Sequence, residues 1–137
     1  MKKYVVGFLF NDDMNKVALI HKNRPDWQIG KLNGIGGHVE EGEPPHSTMV
    51  REFMEETGVK INNWEYFCHL CGINGDYVVD FFYAISDKIY DVNSVTDEKV
   101  EIFDIKELNN IPVIDNLKWL IPMCLDQYFV NCSAISR

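Results

Sequence analysis

Long apolar runs, basic clusters and paired cysteine motifs are all scarce in this chain, and each shortage removes a class of function. The apolar runs at residues 4–10 and 78–85 are far shorter than the about 20 residues a membrane-spanning helix needs. The N-terminus lacks the pattern of a secretory signal, so a cytoplasmic location is the default expectation. With 13 basic against 21 acidic residues the net charge is −8, and no basic run exists to release counter-ions from a duplex nucleic acid. That charge still allows a nucleotide bound through a divalent cation. The four cysteines, Cys68, Cys71, Cys124 and Cys132, supply one CxxC spacing and no second. Cys68 and Cys71 lie in a strand-like run, where residues three apart face opposite sides, so thiols rather than structural zinc are expected. No repeat or low-complexity segment divides the chain, and 137 residues with 46% hydrophobic content predict one domain, residues 1–137, with a full-sized core.

What is present reads as alternating strands and two helices. Residues 3–10, 16–22, 64–72, 77–86 and 100–105 are rich in β-branched and aromatic side chains, and turn residues separate them. Asn11-Asp12-Asp13 predicts a hairpin between the first two, and Asn74-Gly75-Asp76 predicts another. A helix is expected over residues 44–57, with Pro44 or Pro45 in its first turn and Gly58 as the left-handed residue beyond its end. A second is expected over about residues 116–129, where Leu117, Leu120 or Ile121, Cys124 and Tyr128 recur at helical spacing. Pro122 either kinks that helix or moves its start, because proline disfavours helical geometry in the residue before it. A mixed sheet with two helices is an α/β sandwich.

The first helix carries the chemistry. On a wheel of 3.6 residues per turn Met49, Val50, Phe53, Met54 and Thr57 share an apolar arc, while Glu52, Glu55 and Glu56 share an arc beside it spanning roughly a third of the circumference. Like charges at one-turn spacing repel, and more strongly as they lose water. A hard divalent cation reverses that sign: magnesium prefers carboxylate oxygens and often completes its shell with substrate phosphates, and manganese can substitute. Before the helix stand Asn33-Gly34-Ile35-Gly36-Gly37 and then Glu40, Glu41, Gly42 and Glu43. Such a glycine-rich loop can offer main-chain oxygen to a metal or N–H to phosphate.

Gly37, five intervening residues, Glu43, seven more, and Arg51-Glu52-Phe53-Met54-Glu55-Glu56-Thr57-Gly58-Val59 together resemble the complete Nudix box. Only Phe53 departs, standing where the family usually carries an aliphatic residue. The resemblance implies an α/β/α sandwich with a mixed central sheet and a catalytic helix following the Gly-rich loop. It also implies a magnesium-dependent pyrophosphohydrolase in which Glu52, Glu55 and Glu56 bind metal with the Gly36 carbonyl. Arg51 and Glu43 match a pair that braces the catalytic helix in the family. Glu98, in Thr96-Asp97-Glu98-Lys99-Val100, lies where many members supply another metal-binding acid. One of the three helix glutamates is expected to take a proton from the attacking water, with the choice among them open. Related folds often dimerise, so a homodimer is carried as an analogy.

Substrate selection must come from outside the box. The segment around Asn33 is similar to the strand of MutT-type and oxidised-purine nucleoside triphosphate hydrolases, in which an asparagine reads a purine edge; a turn role beside Gly34 is the alternative. Ile111-Pro112-Val113-Ile114-Asp115-Asn116 resembles their base-recognising segment, although those enzymes usually carry a tryptophan and paired aspartates there. Asp115 also suits a helix N-cap, and Asn116 can hydrogen-bond a base. Trp27 is a candidate for stacking or for a packing lid. The expected reaction is hydrolysis of a nucleoside triphosphate, with 8-oxo-dGTP as one candidate, to a monophosphate and pyrophosphate. The alternatives are ADP-ribose, a nucleoside diphosphate sugar or a dinucleoside polyphosphate as substrate, or a catalytically silent nucleotide-sensing module.

Overall fold

A computed structural model describes residues 1–126 and the backbone of the strand Cys132–Ser136. The strands in chain order are β1 (Lys2–Phe10), β2 (Lys16–His21), β3 (Leu32–Asn33), β4 (Ile35–His38), β5 (Glu65–Gly72), β6 (Tyr77–Ile85), β7 (Val100–Asp104) and β8 (Cys132–Ser136). Helix α1 spans Pro45–Thr57 and α2 spans Leu117–Leu125. All eight strands form one mixed sheet along the path β3-β2-β1-β6-β5-β8, with β4 also beside β1 and β7 beside β2. Strand β1 runs parallel to β6 along its whole length. On its other side it splits its partners: β2 takes Leu9 and Phe10, and β4 takes residues from Tyr4 to Gly7.

Period-two alternation on β1 supplies both cores. Val5 and Leu9 point to the face covered by α1, where they join Ile35, Met49, Phe53 and Trp64. Phe8 and Phe10 point to the opposite face, with Phe67, Phe81, Leu117 and Leu120 under α2. Each such fully buried side chain contributes about 1.5–3 kcal/mol from area removed from water. The result is the expected α/β/α sandwich.

Both hairpins form. Asn11 Oδ1 accepts from the amides of Asn15 (3.0 Å) and Lys16 (2.9 Å), and the Gly75 amide donates to Gly72 O (2.8 Å). Helix α1 begins at Pro45, which gives up an N–H that would have no partner there. It ends at Gly58, whose φ of 77° and N–H to Met54 O (2.8 Å) close the last turn.

Three expectations need correction. Met54 does not belong to the packed arc: it is 48% exposed, and Thr48 takes a buried place instead. The buried arc therefore lies closer to Glu52 than the wheel alone suggests. Residues 33–37, taken as loop from their glycines, are mostly strand, because β4 pairs with β1 and β3 with β2. Helix α2 starts at Leu117 and keeps Pro122 inside it, so proline does not delay the start. The helix ends at Leu125, and the expected extension over 127–129 falls outside the described residues. Among the described residues no helix is long and apolar enough to cross a membrane.

Candidate active site

Arg51 is the hub on α1. Its Nε and Nη2 clasp Glu43 in a bidentate pair at 2.8 and 2.9 Å. Nη1 reaches Glu52 Oε1 at 3.0 Å and Glu55 Oε1 at 3.2 Å, and Nη2 donates to His38 O at 3.1 Å. One planar guanidinium thus ties the loop before the helix, the end of β4 and two helix carboxylates together. Glu43 also accepts from Thr48 Oγ1 at 2.7 Å. The Arg51 hydrogen bonds dominate its surroundings and hold its carboxyl at about 2, well below the usual range.

The three helix glutamates sit in graded environments. Glu52 is the most buried, with a side chain 13% exposed against 55% for Glu55. It lies on Gly37, where an added Cβ would run into its carboxylate. Glycine there lets the Glu52 carboxylate keep this position, whereas any side chain would displace it. Burial raises the proton affinity of Glu52, Arg51 opposes this, and the neighbouring Glu55 and Glu56 charges reinforce it. Glu56 accepts from Thr96 Oγ1 at 2.8 Å, which brings the loop before β7 onto the helix.

A divalent cation suits this donor set. The charges of Glu55 and Glu56 act on the largely desolvated Glu52, and Arg51, which reaches Glu52 and Glu55, also serves Glu43. Among the described residues no three His, Cys, Asp or Glu side chains form a ready-made metal cage. Glu98 is 4% exposed and is held by Lys22 Nζ (3.1 Å) and the Asn23 amide (2.7 Å) rather than by the helix carboxylates.

A cleft of about 770 Å³ opens on the α2 face of the sheet, lined by Trp27, Asn33, Asn116, Gly36 and Gly37 among others. Three of the four residues expected to contact substrate therefore share one cavity. What joins them is a parallel bridge between Leu32 and Val113, in which the Leu32 amide donates to Pro112 O (2.7 Å) and the Ile114 amide to Leu32 O (2.9 Å). Asn33 Nδ2 donates to Gln28 Oε1 (3.1 Å), and its Oδ1 accepts from the Gly34 amide (2.8 Å). Among the described residues Asn116 Oδ1 is buried without a hydrogen-bond partner, and a buried acceptor of that kind is costly unless a ligand or a water completes it. Asp115 is exposed and does not line the cleft. It gives no side-chain cap either, because the cap residue of α2 is Asn116, also without a side-chain cap bond. Trp27 is 64% exposed at the mouth.

Sequence reasoning missed Thr48, Thr96 and Gln28, which steady Glu43, Glu56 and Asn33. The first two are single hydroxyls with no pattern of their own. Gln28 had a weak signal in its place beside Trp27.

A family model for the NUDIX domain matches residues 1–121. A relative in Bacillus subtilis (strain 168), named as the uncharacterized Nudix hydrolase YvcI, is 28% identical over 110 residues; the match covers 72% of this chain and 65% of that relative, just under two thirds of its length. Among solved structures, one from work on MutT of Aliivibrio salmonicida and Vibrio cholerae superposes with a TM-score of 0.75 at 25% identity, covering 93% of this chain and 98% of its own. The NUDIX domain of Shewanella oneidensis NrtR in complex with ADP ribose superposes with a TM-score of 0.69 at 23% identity, covering 88% of this chain and 83% of its own.

Proposed function

Because the chain belongs to the Nudix hydrolase family, which acts on phosphoanhydride bonds, we propose that it hydrolyses a nucleoside triphosphate to the monophosphate and pyrophosphate with magnesium, or manganese in its place. The observation that carries this reading is that the cleft lined by Asn33 and Asn116 also reaches Gly36 and Gly37, and Gly37 lies directly against the Glu52 carboxylate of α1.

Glu52, Glu55 and Glu56 are assigned to the metal, with the Gly36 carbonyl as a further ligand. A bound cation would neutralise phosphate charge and lower the pKa of a water. The protein's own groups do the rest. Arg51, fixed by Glu43, orients Glu52 and Glu55, and one of the glutamates accepts the proton of the attacking water. Glu98 is counted as an additional acid recruited from its loop, supported by the Thr96 hydrogen bond that carries this loop to Glu56. At the far end Asn116 Oδ1 accepts an N–H from the base, and Trp27 stacks on it. An acceptor there suits a purine carrying an extra ring N–H, as an 8-oxopurine does.

The second reading within the family is ADP-ribose or another nucleoside diphosphate derivative, supported by the fold shared with a domain that binds ADP ribose. A magnesium-dependent panel of ordinary and oxidised nucleoside triphosphates, ADP-ribose and diadenosine polyphosphates separates the two. Preferential release of pyrophosphate from a triphosphate is expected. Preferential cleavage of ADP-ribose would replace the proposal with the second reading, and no turnover of any member would favour a sensing module.

A further inference from the structure

A second group of reactive side chains lies away from the cleft, on the α1 side of β5 and β6. Its origin is a bulge. The β5–β6 register shifts between Tyr66 and Cys68, so Phe67 and Cys68 both enter the core under α2. The same shift puts Tyr66, opposite Phe82, on one face with His69, opposite Asp80, and Cys71, opposite Val78. In an unbulged strand Tyr66 would face the other way from His69 and Cys71.

These residues form a directed chain. His69 Nδ1 lies 2.6 Å from Asp80 Oδ1, and His69 Nε2 lies 3.5 Å from Cys71 Sγ. A carboxylate on Nδ1 fixes the proton there, so Nε2 presents its lone pair to the thiol. The arrangement does not converge on one point: the acid and the sulfur occupy opposite nitrogens of the ring, which suits proton transfer and not the binding of one cation by all three. Burial, and after it the nearby Asp80 charge, raise the proton affinity of the Tyr66 hydroxyl. His69 and Asp80 are partly accessible, at 33% and 17%, and Cys71 is half-buried rather than sealed in the core. Cys124, by contrast, is buried in the core under α2.

We propose that Cys71 is a covalent modification site: a nucleophilic thiol, served by His69 as base and Asp80 as orienting acid, that forms a mixed disulfide with a low-molecular-weight disulfide. The balance is simple. His69 Nε2 takes the thiol proton, Cys71 Sγ attacks one sulfur of the disulfide, and the S–S bond breaks as the new one forms. The departing thiolate recovers the proton from His69, so one disulfide and one thiol enter and one mixed disulfide and one thiol leave. No other oxidant is required.

The test uses the full chain and oxidised glutathione as the probe, with intact mass and peptide mapping as readouts. A glutathione adduct on Cys71 is expected, lost in Cys71→Ser. Its rate in the native protein should exceed that of the same cysteine in urea-unfolded wild type, and His69→Gln and Asp80→Asn should each slow it by about tenfold or more with melting curves intact. A native rate no faster than the unfolded one overturns the proposal, as does an adduct rate unchanged in a folded His69→Gln or Asp80→Asn protein. The native-to-unfolded comparison needs no substitution, so the idea stays testable if either variant fails to fold. Hydrolase activity plays no part in the readout, so failure here and failure of the hydrolase reading are separate results.

Discussion

The cleft and the α1 carboxylates next to it are built in opposite ways. At the carboxylate group, the end we assign to phosphate, one arginine binds Glu43, Glu52, Glu55 and the His38 carbonyl, and almost every group belongs to a single stretch of chain from His38 to Glu56. At the base end, Asn33, Trp27 and Asn116 come from three separate segments, held together by the Leu32–Val113 bridge. The first end is crowded with like charge that one arginine only partly offsets. The second holds a buried acceptor without a partner and a tryptophan 64% exposed. A site for chemistry common to many substrates can be rigid and local, whereas selection among substrates is left to groups whose partner is the ligand itself.

If this division is real, substitutions at the two ends must fail differently. Glu55→Gln or Glu56→Gln should lower kcat by at least about a hundredfold while circular dichroism shows an intact fold, because metal charge and a potential base are lost together. Wild-type rates in both would sink the assignment of the metal site. Magnesium titrations of Glu98→Gln should show a weaker requirement for Glu98 than for either of these, and an equal loss would make Glu98 a full member of the site.

Arg51→Ala comes next. It strips the shared cation from Glu43 and the largely buried Glu52, so a stability loss of about 1–3 kcal/mol is expected together with reduced kcat. Denaturant unfolding and steady-state kinetics would show both, and loss of either one alone would separate bracing from orientation.

At the base end, Asn116→Ala and Asn33→Ala should raise KM for the preferred purine nucleotide by about tenfold or less, with kcat nearly unchanged, as expected from one or two lost hydrogen bonds. A simple pyrophosphate-bearing analogue without a base should be unaffected. Equal effects on both ligands would rule out base reading.

The smallest expected effect is on acid stability. Arg51 depresses Glu43 from an ordinary 4.5 to about 2, so this carboxylate's stabilisation is complete above pH 4.5 and is lost as the pH falls from there through about 2. Melting temperature against pH should therefore fall less steeply across that window in Glu43→Gln than in wild type. Parallel curves would mean that the pair contributes little to folding.

Much of the phosphate end was legible in the sequence, because helical spacing alone places Glu52, Glu55 and Glu56 on one arc and Pro45 and Gly58 mark the ends of α1. Local rules failed where partners were distant. Met54 shares the apolar arc of the wheel and yet is exposed, because the wheel does not show which part of an arc the sheet covers. Strands β3 and β4 were hidden by glycines, whose poor strand propensity is overridden by pairing with β1 and β2. The bulge at Phe67 that aligns Tyr66, His69 and Cys71 left no mark in the residue pattern, because an extra residue is visible only against the partner strand.

By itself the sequence determined helix α1 and the shared arc of its glutamates, which follow from side chains set a few residues apart on a backbone of known pitch, while the reaction class came from the resemblance of its motif to the Nudix box. Only the tertiary structure decided how deeply Glu52 is buried, that Asp115 stays outside the cleft while Asn116 faces a partnerless position within it, and that His69 stands between Asp80 and Cys71. Those outcomes depend on strand pairing and packing between segments far apart in the chain, and spacing along one segment carries no record of them.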